Sequence, residues 1–256
     1  MALADDVRAL RDRALGELKA AHDYFSDTNI AWAIVRESVR AGNKFTIKTT
    51  PDVAIALEPP EDSVNSMVLH SNETGTVTTE AELVGRARKY TKRQLPEATF
   101  QQFISIFEAF LVDFMRSWLF AYPGSLGNKQ VDFAKVLKLP DKDAIIRLVV
   151  DKELNEVAYS APADWFKYMN KRTGLGVPTE DEIKKLAEAK ASRDVLVHNR
   201  GVANKSYELK AGSFARYRSG QRIDIPSDYH GAIWNLVRKM VVDISSAAIA
   251  KLPPPS

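Results

Sequence analysis

From Pro96 to Leu119, apolar residues occupy almost the whole circumference of a helix. Phe100, Phe103, Ile104, Phe107, Leu111, Phe114, Met115 and Trp118 recur at helical spacing, and Ile106, Phe110, Val112 and Leu119 fill much of the other side. A helix this apolar is covered on several faces. It is either the central helix of a bundle or part of a subunit interface. Pro96 suits the first turn, and Gly124 and Gly127 end the run.

The remaining segments supply helices to pack around it. Leu3, Val7, Leu10, Ala14 and Leu18 recur at three- and four-residue steps, predicting helix from residue 3 to about 41. Asp27 or Thr28 could cap a second helix there, with Gly42 as its stop. Residues 44–49 alternate as in a short strand, and 58–79, with Pro59-Pro60, Gly75 and many Ser, Thr and Asn, read as a loop or linker. Residues 79–94 are helical and basic; Arg86, Arg88, Lys89, Lys92 and Arg93 form either a solvated face or an RNA-contacting one. Further helices are predicted over 141–158 and 163–172. Another follows the capping-box pattern Thr179-Glu-Asp-Glu182 and runs toward His198. Residues 213–226 read as a β-hairpin turning at Ser219-Gly220, and a last helix follows Ser227 or Asp228. The expected fold class is mainly α: a helical bundle with a short β-hairpin insert and an N-terminal helical extension. The expected division is 1–78, helical with short strands and of no assigned role, and 79–256, the helical domain.

Composition removes several kinds of chemistry. The chain has no cysteine, so it has no disulfide, no thiolate metal site and no thiol nucleophile. Acidic residues at 5 and 6 argue against a signal peptide, and no uncharged apolar run approaches the ~18–20 residues of a membrane span. A cytoplasmic protein with no membrane association is expected. HExxH, GxSxG and the nucleotide P-loop are absent, and the four histidines show no paired metal spacing. No metal and no cofactor are expected.

The chemistry-bearing stretch is 192–204. Arg193 and His198 enclose four residues and are followed by Asn199-Arg200-Gly201. Asp194 and His198 are four apart and share a helix face, so the carboxylate can fix the imidazole tautomer. His198 falls on the row Ile183, Ala187, Ala191, Val195, His198, where it could equally be a core or interface histidine, with Arg193 a surface ion-pair residue. Between 193 and 222 seven basic residues face two acidic ones, a local charge of +5 against +3 for the whole chain. Arg200, Lys205, Arg216 and Arg218 are the candidate RNA contacts. Tyr207, Phe214 and Tyr217 could stack on bases or pack beneath a solvated hairpin. Glu108, on the apolar helix, needs a partner, either Arg193 or Arg116.

The run SRDVLVHNRGVANKSY, late on a capped helix, resembles the HEPN superfamily, whose Rx4-6H motif carries a polar residue after the Arg and often Asn after the His. Asp194 and Asn199 stand at those places. The resemblance extends over roughly 96–250, through the aromatic helix with Glu108, the segment DWFKYMNKRTGLGVP and the final amphipathic helix. It implies a HEPN-like bundle and a metal-independent endoribonuclease active as a homodimer. Arg193 and His198 would be catalytic, with Asp194, Asn199 and Glu108 in support. It also implies a toxin or anti-phage role beside a cognate antitoxin or a nucleotidyltransferase-like protein. The alternatives are a non-catalytic RNA-binding or dimerisation module and an unrelated helical regulator.

Overall fold

The computed structural model describes residues 3–41, 45–49, 67–71, 80–158 and 160–252. The fold is mainly helical. Helix α1 spans Leu3–Arg40 and is followed by two strands, β1 (Phe45–Thr49) and β2 (Met67–Ser71). The central run is α2 (Glu80–Lys89), one π-helical stretch (Tyr90–Gln94) and α3 (Leu95–Ala121). Then come the short α4 (Phe133–Val136), α5 (Lys142–Ala158), α6 (Pro162–Thr173), α7 (Glu180–His198), α8 (Lys205–Ala211) and α9 (Ser227–Lys251). Among the described residues no helix is long and apolar enough to cross a membrane.

Contacts divide the chain into two units. One contains residues 1–22 and 97–256, and the other contains 23–96. The boundary read from composition at 78/79 falls inside the second unit. In the first unit α3 is the central element. Phe100, Phe103, Ile104, Phe107, Phe110, Leu111, Phe114, Met115, Trp118 and Leu119 are all buried, while Gln102, Ser105 and Ala109 keep one narrow stripe in solvent. The core around α3 is built by Val7, Ala14 and Leu18 of α1, Val150 and Leu154 of α5, Trp165, Phe166 and Met169 of α6, Leu186 and Ala189 of α7, and Ile233, Val237, Met240 and Ile244 of α9.

Three local expectations are corrected. Residues 3–40 form one helix, not two, because nothing between them breaks it: there is no proline, and the single Gly16 is tolerated. Asp27 and Thr28 continue the helix, and Asn29 bonds back to the Phe25 carbonyl at 2.8 Å. The expected strand at 44–49 is β1, but its partner β2 lies in the stretch read as loop. The two pair in parallel with Phe45 opposite Met67. The rest of 58–79 lies outside the described residues. Finally, residues 213–226 do not pair with each other as a hairpin. The 220–223 backbone pairs instead with the loop after α7, through Val202 and Arg222, with Ala203 N–H donating to Gln221 O and Ile223 N–H to Gly201 O. Tyr217 and Asp224 hold the remainder by a phenol–backbone pair at 2.9 and 3.1 Å.

The start of α7 follows the sequence closely. Thr179 and Glu182 form a capping box, with Thr179 N–H donating to Glu182 Oε2 at 2.8 Å. Lys239 of α9 donates to the other oxygen of Glu182 at 2.7 Å and ties the two helices together.

A buried histidine sets an acid limit on this unit. His230 is 1% exposed and its Nε2 lies 2.8 Å from Thr99 Oγ1. Burial, with His22 nearby, pushes its pKa down to about 4 from 6.5. The unfolded chain therefore binds this proton below 6.5 while the folded chain resists until about 4. The stabilisation is complete above 6.5 and is lost as pH falls toward 4. His230→Gln should flatten the pH dependence of the urea midpoint in that window; an unchanged slope would show that other groups govern it.

Candidate functional site

Helix α7 ends at His198. Its Asn199 cap donates a backbone N–H to Val195 O at 2.9 Å, Arg200 takes a positive φ of 54°, and Gly201, at φ 74°, donates to the same carbonyl at 3.1 Å. This left-handed exit is the kind glycine and asparagine-type ends favour. It leaves the imidazole at a helix terminus rather than on the packing face. His198 is exposed, and the buried residues of α7 are Glu182, Leu186, Glu188, Ala189, Ala191, Ser192 and Val195. The reading of His198 as a core histidine is corrected accordingly.

Arg193 and His198 line one cavity of about 350 Å³, formed by residues of α3, α5, α6 and α7. Its walls are Leu111, Val112, Met115, Leu154, Val157 and Trp165, and its polar groups are Glu108, Lys190, Arg193 and His198. Glu108 takes Arg193 as its partner, one of the two options open from sequence, and Lys190 at 2.6 Å as a second. Arg116 pairs instead with Asp113 at 3.0 Å and Asp151 at 3.5 Å. Arg193 also reaches Asp194 at 3.3 Å. The guanidinium is thus held between two carboxylates, with its Nε buried and unbonded.

Asp194 does not orient His198. It is engaged by Arg193 and by Lys210 at 3.3 Å, and among the described residues no hydrogen bond reaches the imidazole. Asn199 donates its side-chain amide to Val202 O, so it shapes the loop rather than the imidazole. His198 also borders a polar hollow of about 230 Å³ lined by Asp194, Asn199, Asn204, Ser206, Tyr207 and Lys210.

The four expected RNA contacts divide. Arg200, Lys205 and Arg218 are exposed. Arg216 is turned inward: Nε donates to Glu188 at 3.2 Å, and the guanidinium lies 3.3 Å from the Tyr229 ring centroid. Tyr207 is buried at 1% exposure and is not available for stacking. Its hydroxyl and that of Ser192 each donate to Glu188 Oε1 at 2.7 Å, and Tyr229 donates to Oε2. Burial and the Glu188 carboxylate push Tyr207 up to about 12 and raise Tyr229 further. Both phenols are therefore fixed donors.

Sequence reasoning missed Lys190 and Trp165. Lys190 was findable, because it lies one turn before Arg193 and so shares its face. Trp165 was not, since only packing places α6 beside the cavity. A scan against protein-family models finds no matching family, and searches of curated proteins and of solved structures find no match.

Proposed function

We propose that this chain is a metal-independent endoribonuclease acting as a homodimer, with Arg193 and His198 as its catalytic residues. The observation that carries the reading is that both line one cavity, and that His198 is exposed and, among the described residues, accepts and donates no hydrogen bond. Cleaving RNA by attack of its own 2′-hydroxyl needs a proton acceptor, a proton donor and a cation for the charged phosphorane. An imidazole titrates in the useful range. A guanidinium matches phosphate oxygens with two parallel hydrogen bonds. One protomer supplies one imidazole, so a two-fold pair would supply both acid and base. Val197, next to His198 in the chain, and Leu209 of α8 are 50% and 83% exposed and supply apolar surface for a second copy. Exposed Arg200, Lys205 and Arg218 can hold the backbone, and Asp194, Asn199 and Glu108 support the site by setting Arg193 and the loop. A toxin or anti-phage role, with an antitoxin or nucleotidyltransferase-like partner in a cytoplasmic setting, belongs to the same reading through the HEPN resemblance.

The purified protein, incubated with RNA in EDTA, should still cut it. The products should end in 2′,3′-cyclic phosphate and 5′-hydroxyl, and DNA should stay whole because it lacks the nucleophile. Cleavage that stops with the chelator, or that extends to DNA, overturns the mechanism. A second reading, a non-catalytic RNA-binding or dimerisation module, is favoured by the pairing of Arg193 with Glu108 and Asp194. In that case RNA binds in a salt-dependent way and is recovered intact.

A further inference from the structure

The basic run at 86–93 takes no part in the site described above. Arg86, Arg88, Lys89, Lys92 and Arg93 fall within it, and no Asp or Glu stands between Val84 and Pro96. All five cations are exposed. Arg86, Arg88, Lys89 and Lys92 make no hydrogen bond or ion pair among the described residues. On α7 the surface charges are paired instead: Lys184 meets Glu180 at 2.7 Å and Lys185 meets Asp181 at 2.6 Å, each one turn along. A solvated helix face gains from such alternation. The basic run does the reverse. Arg88 and Lys92 are four apart, as are Lys89 and Arg93, a spacing at which like charges disfavour the helix. Nor does the helix dipole account for the run. Cations are favoured at a helix C-terminus, but the chain stays helical here, at Lys89 (φ −62°, ψ −45°) and again at Leu95 (φ −66°, ψ −49°). A block of one sign that disfavours its own helix points to an anion that covers it.

The π-helical stretch Tyr90–Gln94 sets how the cations are arranged. Pro96 has no N–H for the Lys92 carbonyl and its ring crowds that carbonyl, so the turn before it widens. Four residues of an ordinary α-helix overshoot one turn by about 40°. The wider turn removes part of that drift. Leu83, Ala87 and Leu95 are buried with Thr91 half-buried between them, so the packed row keeps a spacing of four. Arg88 and Lys92 follow that row by one residue, and Lys89 and Arg93 by two. The run covers about 10 Å of helix axis, a length over which a duplex presents about six phosphates. No large apolar residue from Glu80 to Pro96 is exposed, so the face has nothing to insert into a bilayer. Tyr90, the one aromatic residue in that range, packs on Trp32 with ring centroids 5.5 Å apart. The face therefore offers cations to phosphates and no free ring to bases.

We propose that the exposed face of α2 and the π-helical stretch is a binding surface for the sugar–phosphate backbone of RNA, indifferent to base sequence. Arg86, Arg88, Lys89 and Lys92 are its contacts. Phosphate contacts of this kind position a nucleic acid without reading it. DNA binds the face as well, since the 2′-hydroxyl is not recognised. The surface adds to the ribonuclease reading and does not depend on it.

Salt dependence tests the face without any catalysis. The full chain is titrated against a short labelled 2′-O-methyl RNA, which cannot be cut by its own 2′-oxygen, and against DNA of the same sequence. Fluorescence anisotropy is followed over a range of potassium chloride. Both should bind, with scrambled sequences binding equally. The logarithm of affinity should fall against the logarithm of salt with a slope of about −3 or steeper, at ~0.7 per single-strand phosphate neutralised. The fourfold variant Arg86→Gln, Arg88→Gln, Lys89→Gln and Lys92→Gln should be shallower by about 3. Glutamine suits an exposed helix, and circular dichroism checks that the variant is folded. Lys184→Gln with Lys185→Gln, which removes paired cations from α7, should leave the slope unchanged. An unchanged slope in the folded fourfold variant overturns the proposal. So does an equal loss per charge in the α7 control, because net charge alone would then govern binding. If the fourfold variant does not fold, Arg88→Gln with Lys92→Gln should still be shallower by about 1.4, and no change there overturns the proposal. Capture of phosphatidylserine vesicles without the oligonucleotides overturns it too. Slope-dependent binding by a chain that leaves natural RNA intact sustains the face and removes the nuclease. Cleavage of natural RNA with an unchanged slope in the fourfold variant does the opposite.

Discussion

His198→Ala should reduce single-turnover RNA cleavage by roughly 10²–10⁴-fold, the usual worth of a positioned proton-transfer group. The same substitution should leave the urea midpoint almost unchanged, because the imidazole is exposed at the end of α7 and makes no hydrogen bond among the described residues. That combination separates chemistry from folding. Arg193→Lys should also depress the rate, since an ammonium cannot grip two phosphate oxygens in parallel. It can still pair with Glu108, so the lost activity would come from phosphate contact rather than collapse of the ion pair. Full activity in His198→Ala would remove the histidine from the mechanism and leave the RNA-binding module as the surviving account.

Glu188→Ala should produce the largest loss of stability from a single substitution at this unit's polar groups. Glu188 is 3% exposed and accepts from Ser192, Tyr207, Tyr229 and Arg216. Removing the acceptor strands three hydroxyls and a half-buried guanidinium at once. Breaking a buried charge pair by deleting one member costs about 3–5 kcal/mol. Glu188→Gln keeps the shape and one acceptor oxygen and should cost less than Glu188→Ala. Urea unfolding followed by circular dichroism measures both. A midpoint for Glu188→Ala within error of the parent would mean that water replaces the carboxylate and that the network is ornamental. The consequence reaches the site, because Glu188 anchors α8, Arg216 and α9 to the helix that carries Arg193 and His198.

Much of the helical architecture was legible before any coordinates. The apolar circumference of α3 could only be satisfied by burial, and α3 is the central helix of its unit. The Thr179–Glu182 box marked the start of α7 because a capping box is local: both partners lie within one turn. Glu108 needed a cation for an equally elementary reason, the cost of an unpaired charge on an apolar helix. The errors share a different cause. The supposed helix break at Asp27-Thr28 failed because capping residues stop nothing by themselves when the flanking sequence still favours helix. The hairpin expected at 213–226 is absent because a turn signal such as Ser219-Gly220 cannot name the partner of the segments it joins. The backbone of 220–223 pairs with the loop after α7 rather than with residues 214–217.

The site divides along the same line. That Arg193 and His198 sit close on one helix, near a surplus of positive charge, is a matter of spacing, and the chain alone dictated it. Which way each side chain faces was not. Three- and four-residue periodicity placed His198 on the packing row, but the helix terminates there and its last turn opens to solvent. Asp194 shares a face with His198, yet Lys210 and Arg193 claim it. Arg216 counts as surface charge in any tally of residues, and it lies against Tyr229 and Glu188. Periodicity and local pairing depend on neighbours within a turn, so the order of residues settles them. Burial, the choice of ion-pair partner and the lining of a cavity by α3, α5, α6 and α7 depend on groups far apart in the chain, such as Glu108 and Arg193, 85 residues apart. Only the packed chain could decide these.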